Sequence, residues 1–290
     1  MDLQTLSVFR TVAREGGVTR AASLLSLAPS NVTTRIQKLE TELGTQLFDR
    51  VRKRMILSEE GQVFLDYAER ILSLADEARQ RLKGSGTSGR FRVGSMEATL
   101  ASRLTEPLAK FRRDWPRLEI SLTSGSSRQL MELLRIHQID CALIAFPSDH
   151  ERELAADLET TPLFCEELVL LLPADHPEVR SPADLRIRTL AAFASGCSYR
   201  TLAENWLTSG SHWPLRVQEV PSYHAMYGCT VSGSCISIMP RSVARHAGFL
   251  GSVRELHLAE MVTYLACRKG FNSSAYCALR TNLIEASDLC

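Results

Sequence analysis

The chain has no CxxC pair, no HExxH, no GxSxG and no GxxxxGK[ST] run. These absences remove the motif-borne routes to a zinc site, a zinc protease, an α/β-hydrolase serine and a P-loop. Seven histidines show no metal-ligand spacing, so no metal, no cofactor and no catalytic residue is nominated, and the chain does not read as an enzyme. No apolar run approaches the ~20 residues of a membrane span, so no membrane partner is expected. The opening Met1-Asp2-Leu3-Gln4-Thr5 lacks a basic segment followed by apolar residues, so no secretory signal and a cytoplasmic location are expected. Excess charge is also missing, with 34 Lys+Arg against 33 Asp+Glu.

The composition is that of a globular chain: 290 residues, 44 % hydrophobic and 23 % charged, enough for two domains. Its eight cysteines (141, 165, 197, 229, 235, 267, 277 and 290) sit mostly in apolar segments and read as reduced, buried thiols.

The balanced charge is unevenly distributed. Residues 1–58 carry nine Lys+Arg and five Asp+Glu, a local net of +4 against +1 for the chain. A basic patch confined to one small unit suits phosphate neutralisation. Within it the pattern predicts a short helix over 21–25, a turn over 26–29 and a second helix over 30–43, stopped at Gly44. A basic hairpin then contains Arg50, Arg52, Lys53 and Arg54. Two helices joined by a tight turn and followed by a hairpin make a winged helix-turn-helix, whose second helix fits a major groove. Val32, Ile36, Leu39 and Leu43 recur at helical spacing as an inner stripe. Asn31, Thr34 and Lys38 fall opposite, flanked by Thr33 and Arg35. Asn and Thr can bond base edges, Arg can fork onto guanine and Lys can hold phosphate. Taken singly, each is equally an ordinary solvated position on an amphipathic helix. Arg50, Arg52 and Arg54 alternate, so strand spacing would put them on one face of the wing.

After Gly61 a helical pattern runs to about Leu82. Phe64, Tyr67, Ile71, Leu74 and Ala78 form a seam of heptad type, expected to pair two chains so that two recognition helices address two half-sites. Residues 83–90, with three glycines and two serines, read as a hinge. From Phe91 the pattern alternates strand (91–96), helix (100–113), strand (118–122), helix (129–135) and strand (141–145). A second set starts at 168–172, with a helix at 199–207 and strands near 215–220, 236–239 and 263–267. That order implies two α/β lobes, with residues beyond about 268 returning to the first and the second lobe spanning about 163–268.

Ligands of such sheets lie beyond the strand C-termini. Ser95 and Thr99 flank the first strand's end, Ser124-Gly125-Ser126 follow the second, and Gly196-Cys197-Ser198 precede a helix. Hydroxyls and helix N-termini there can receive a carboxylate or another anion, although Ser and Thr at such positions also act as plain caps. Phe146 and Tyr223 are candidate apolar walls.

Residues 1–60 resemble the DNA-binding domain of the LysR-type transcriptional regulators. The likeness runs through Leu3…Leu6…Phe9…Val12 and Thr19-Arg20-Ala21-Ala22-Ser23-Leu24-Leu25. It continues in Val32-Thr33…Ile36…Leu39-Glu40…Leu43-Gly44, Leu47-Phe48-Asp49-Arg50 and Leu57-Ser58…Gly61. The resemblance implies a ligand-responsive regulator with a periplasmic-binding-protein-like effector domain, acting as a dimer or tetramer on double-stranded DNA, and it admits RNA polymerase as a further partner. It assigns DNA contacts to Ser30, Asn31, Thr33, Thr34, Arg35, Arg50 and Arg52. This chain has Ala28-Pro29 where the family usually places Ser-Gln, so that glutamine's DNA contact is not carried over. Some members sense oxidants through cysteines, and here Cys229 and Cys235 flank the Ser232-Gly233-Ser234 turn. A redox-sensing regulator of the same architecture is therefore one alternative, against which Val231 and Ile236 argue for a buried setting. A cytoplasmic solute-binding protein is another.

Overall fold

The computed structural model describes residues 1–51, 54–82, 89–153, 155–209 and 215–287, with backbone alone at 50, 51, 54, 80–82, 89 and 151. Arg52 and residues 83–88 of the hinge lie outside the described residues. The chain divides into two compact units, one of residues 1–84 with 136–138, the other of 85–135 with 139–290.

In the first unit α1 (Leu3–Glu15), α2 (Val18–Leu24) and α3 (Pro29–Leu43) precede a hairpin of β1 (Phe48–Val51) and β2 (Arg54–Leu57), and α4 (Glu59–Leu82) follows. Asp2 caps α1 by accepting the Thr5 N–H at 2.7 Å, and that bond first of all lowers its pKa. Leu6, Phe9 and Val12 of α1, Ala21 and Ala22 of α2, and Val32, Ile36 and Leu39 of α3 close a core with Leu47 and Phe48. Phe9 stands at its centre, with ring centroids 5.3 Å from Phe48 and 5.1 Å from Phe64.

Two sequence expectations change here. Leu43 leaves the inner stripe and is 39 % exposed, because α3 ends at that residue, with Gly44 in the left-handed region, before the stripe meets another element. Phe64 leaves the seam of α4 and packs on Phe9 in its own domain core. Val63 takes its place in the outward stripe. Val63, Tyr67, Ile71 and Leu74 are 59, 56, 37 and 54 % exposed, with Ala78 also exposed below them.

The second unit contains β3 (Gly89–Ser95), α5 (Glu97–Ser102), α6 (Thr105–Asp114), β4 (Leu118–Ser124), α7 (Ser127–Arg135), β5 (Cys141–Ala145) and α8 (Asp149–Glu153). Then come β6 (Leu158–Pro173), β7 (Thr189–Ala192), α9 (Ser198–Thr208), β8 (Arg216–Glu219), α10 (Tyr223–Val231), β9 (Ile236–Pro240), α11 (Arg241–His246), β10 (Val253–Arg268) and α12 (Ser274–Glu285). Among the described residues one sheet of eight strands runs in the order β4-β3-β5-β10-β6-β9-β7-β8. β3 pairs in parallel with β4 and β5, and β7 with β8 and β9. Between these two parallel sets lie β6 and β10, antiparallel to each other over 16 residues each.

Strands of that length extend over ~50 Å, so each passes through both lobes, and they form the frame that the lobes share. The expected single helix over 100–113 is broken at Arg103 and Leu104 into α5 and α6. Arg103 turns back there, its Nε 2.7 Å from Oε1 of the buried Glu166 on β6, whose Oε2 accepts the Ser242 hydroxyl of α11 at 2.6 Å. Glu166 thus joins an element of each lobe to the crossing strand. Past β10 the chain returns to the first lobe. Phe271, Leu279 and Leu283 pack with Phe91 and Phe111, and Lys110 pairs with Glu285.

Candidate functional site

The face expected to read DNA in the first unit is built by α3. Pro29 occupies its first turn, where a missing N–H costs nothing. Ala28 at the N-cap offers no side-chain acceptor, so Asn31 and Val32 donate only to its carbonyl, at 3.0 and 3.2 Å. With Val32, Ile36 and Leu39 buried, Ser30, Asn31, Thr34 and Lys38 are left exposed and Thr33 and Arg35 half-buried. Several of these side chains are already engaged. The Thr33 and Thr34 hydroxyls donate to the carbonyls of Pro29 and Ser30 at 3.0 and 2.9 Å. Arg35 donates through Nε to Asn31 Oδ1 at 3.2 Å and through a terminal nitrogen to Gln4 at 3.0 Å. The two residues best suited to base edges are therefore coupled, and Arg35 is pre-positioned by α1.

The wing is held to α3 by Glu40, whose Oε1 accepts the N–H groups of Leu47 and Phe48 at 2.9 and 3.2 Å. In the hairpin register Arg50 faces Met55 and Val51 faces Arg54. Arg50 and Arg54 thus lie on different strands and not opposite one another. The single face expected from residues 50–54 presumed one unbroken strand, and that expectation is corrected; Arg52 lies outside the described residues.

In the second unit a cavity of about 290 Å³ lies beyond the C-terminal ends of β3, β4, β7 and β8. From the first lobe come Met96 and Glu97 at the start of α5, and Ser124, Gly125, Ser126, Ser127 and Gln129 around the start of α7. The second lobe contributes Phe193, Ala194, Ser195, Cys197, Ser198 and Tyr199 before and within α9, with Pro221 and Tyr223 at α10. The positions chosen from sequence divide accordingly. Ser124, Gly125, Ser126, Cys197, Ser198 and Tyr223 line the cavity. Ser95, Thr99, Phe146 and Gly196 do not. Ser95 is buried and gives its hydroxyl to the Met96 carbonyl at 2.9 Å, and Phe146 packs on Tyr264 at 5.4 Å. Thr99 Oγ1 is buried without a hydrogen-bond partner among the described residues. Gly196 has φ +95°, and a Cβ there would sit 3.2 Å from Ser126 Oγ, so it permits the two lobes' loops to approach.

Ser198, which lines the cavity as expected, also fastens the lobes. Its hydroxyl donates to the Ala145 carbonyl at 2.7 Å and lies 3.1 Å from the Ser127 hydroxyl, which itself accepts the Ala145 N–H at 3.1 Å. Ser126 pairs with Gln129, giving its hydroxyl to Oε1 at 3.1 Å. Arg200 fixes the opposite loop by donating to the Phe193 carbonyl at 3.0 Å while paired with Glu204 and Glu219. Phe193 and Tyr223 meet edge to face at 4.9 Å. Burial pushes the Cys197 thiol and the Tyr223 hydroxyl up, so both stay neutral. Glu97 also has its pKa raised by burial, and its Oε2 has no hydrogen-bond partner among the described residues. Sequence reasoning missed Glu97, because an acid in the first turn of a helix is ordinarily explained by the helix dipole. Phe193 and Pro221 carried no pattern at all.

The cysteines of the redox alternative meet at one side chain. Gln218 donates to Cys229 Sγ at 3.6 Å and accepts from Cys235 at 3.4 Å. Burial raises the Cys235 thiol, against the thiolate that oxidation requires.

No helix among the described residues is long and apolar enough to cross a membrane. The family models of the bacterial regulatory helix-turn-helix protein, lysR family, and of the LysR substrate binding domain match residues 3–62 and 84–287. The HTH-type transcriptional regulator GltR of Bacillus subtilis (strain 168) is 34 % identical over 92 % of this chain and 88 % of its own length. The uncharacterized HTH-type transcriptional regulator YusT of the same strain is 36 % identical over 95 % of this chain and 92 % of its own. Among solved structures, full-length CbnR complexed with its target DNA matches with a TM-score of 0.70 at 22 % identity, covering 99 % of this chain and 100 % of that one. A full-length OxyR variant from Pseudomonas aeruginosa also matches with a TM-score of 0.70 at 22 % identity, over 100 % and 95 %; both likenesses concern the fold. With a DNA-reading unit followed by a two-lobed domain that closes around a cavity at its strand ends, the chain belongs to the LysR family of ligand-responsive transcriptional regulators.

Proposed function

We propose that the protein acts as a homodimer or a pair of dimers in the cytoplasm, reading its operator with α3 and receiving a small, carboxylate-bearing effector between the lobes of its second domain. The observation that carries this reading is the cavity. It lies beyond parallel strand ends of both lobes, and the starts of α7 and α9 reach it with the positive ends of their dipoles, which favour an anion; at α7 the Ser126 and Gln129 N–H groups are already capped by each other's side chains. Ser124 adds a hydroxyl, and Phe193 and Tyr223 form an apolar wall. At about 290 Å³ it suits a small metabolite rather than a large cofactor.

Asn31, Arg35 and Lys38 read the groove, Ser30, Thr33 and Thr34 support them, and Arg50, Arg52 and Arg54 hold the backbone. Tyr67, Ile71, Leu74 and Ala78, with Val63, form the seam between chains, since an apolar stripe exposed along a long helix calls for a partner. An effector controls such a molecule only through different affinities for two arrangements of the lobes, and the Ser198 fastening is a contact between the lobes on which such a change would act.

The test is Ala194→Trp, which fills the cavity from an exposed loop position. Promoter binding by the full chain should persist while the inducer response in a reporter strain disappears. A full response in that variant places the effector elsewhere.

A further inference from the structure

Two features of the strands that cross between the lobes fall at one place. Along β10 the pairing with β6 shifts register between His257 and Ala259 and again between Thr263 and Tyr264. The stretch between the shifts, residues 259–263, lies opposite 164–168. Such irregularities bend a strand locally, so this stretch is where the shared frame can hinge. Glu166 stands in its middle, opposite Met261, and is 2 % exposed. Its two oxygens bind different lobes. Oε1 accepts from Arg103, just past α5, at 2.7 Å, and Oε2 accepts the Ser242 hydroxyl of α11 at 2.6 Å. That hydroxyl lies 3.3 Å from the hydroxyl of Ser102, the last residue of α5. The Arg103 guanidinium sits 5.3 Å over the Phe164 ring, at the end of the same stretch.

A buried carboxylate is costly to leave unpaired, so the contact holds or parts as a unit. α5 joins it to the cavity. Its six residues span about 9 Å; Met96 and Glu97 at its start line the cavity, while Ser102 and Arg103 at its end meet α11 and Glu166. Resting on the reading of this cavity as the effector site, we propose that the Glu166 contact is a strap across the hinge of the second domain. Ser242 and Arg103 set how readily the lobes part, and thereby how far an effector shifts them. Neither lines the cavity, so both are positioning residues that act through α5 and not on the ligand.

Ser242→Ala removes the donor to Glu166 Oε2. In the full chain, hydrogen exchange should quicken about 10- to 100-fold, the value of a hydrogen bond to a charged group, at the Ala145 N–H and the first turn of α9, where Ser198 joins the lobes. Both lie on elements other than α11, so a merely local loosening would not reach them. Ser242→Thr keeps a hydroxyl and should restore protection. Wild-type exchange at these amides in Ser242→Ala, a change confined to α11, or equal losses throughout β3 and α12 from general unfolding, overturns the proposal. Calorimetric titration with acetate, pyruvate, succinate and benzoate tests the cleft separately. An acid that binds the wild type but not Ala194→Trp should, at saturation, slow exchange at Ala145 in Ser242→Ala, because a ligand held by both lobes favours the arrangement that binds it. No slowing overturns the link from cleft to strap. Binding retained in Ala194→Trp overturns the cleft reading, and binding of none of the four acids its carboxylate class; the strap is then judged by exchange alone.

Discussion

Gly61 offers the sharpest test of how the DNA-binding unit is assembled. It lies in the first turns of α4, against the segment that leads into the wing. A Cβ at this position would stand 2.0 Å from the Leu47 carbonyl oxygen and 2.9 Å from its carbon, both backbone atoms with no rotamer to yield. That oxygen also accepts the Ser58 N–H at 3.1 Å. In Gly61→Ala the backbone must therefore shift by more than an ordinary side-chain adjustment, at about 1–3 kcal/mol for overpacking. Loss of the Ser58 bond adds about 1 kcal/mol, which the better helix propensity of alanine roughly cancels. A net destabilisation of about 1–3 kcal/mol corresponds to about 5- to 150-fold more frequent opening. Hydrogen exchange of the full chain reads this locally: amides of α3 and α4 should lose protection while those of β6 and β10 keep theirs, and promoter affinity should fall. Wild-type protection in α3 and α4 would refute the close-approach argument.

The other predictions concern the separate sites. Ile71→Asp places a charge in the outward seam of α4 and should dissociate the dimer, since an unpaired buried charge is costly; sedimentation velocity showing an intact dimer at low concentration would relocate the seam. Asn31→Ala should cost about 1–3 kcal/mol in operator binding and relax one base position, and because Arg35 rests on Asn31, the double variant with Arg35→Ala should cost less than the two single effects together. Equal additivity in a binding titration contradicts the coupling. Glu97 keeps its proton to higher pH in the folded chain than in the unfolded one. Stability should therefore fall as pH rises from about 4.3 through the raised value and level off above it. Glu97→Gln should remove that slope from the urea midpoints, and parallel curves for the two proteins would show that burial does not perturb the group.

Much of this architecture is legible in periodicity, and the failures are local. Val32, Ile36 and Leu39 declare α3 because buried positions on a helix must recur at its own period. Phe64 fits the heptad of α4 by count, but counting cannot register that Phe9 offers it an aromatic partner inside the domain. The alternation of Arg50, Arg52 and Arg54 is a strand argument, and the register of β1 with β2 shows that the chain reverses before it applies. β5 is readable as a wholly buried run, whereas the first half of β6 and of β10 alternates weakly against an exposed face. α10 is apolar on most sides and gives no periodic signal; its local mark is the Ser222 cap, which accepts the Ala225 N–H at 3.2 Å. At the cleft, serine at a helix start was a sound indicator of position but not of role. Ser124, Ser126 and Ser198 all line the cavity, but Ser126 gives its hydroxyl to Gln129 and Ser198 gives its own to Ala145. Such a division depends on which carbonyl the fold brings alongside, and local sequence does not record that.

The central claim is that occupancy of the cleft alters how α3 meets DNA. It is tested most directly by selecting bound duplexes from a random-sequence pool with the full chain, then footprinting the selected site with and without the compound that binds most tightly in the titrations. The account predicts a motif of two half-sites, affinity that falls steeply with salt, and a footprint whose length or spacing changes on saturation. No enriched motif, or a footprint identical with the cleft saturated, would contradict it.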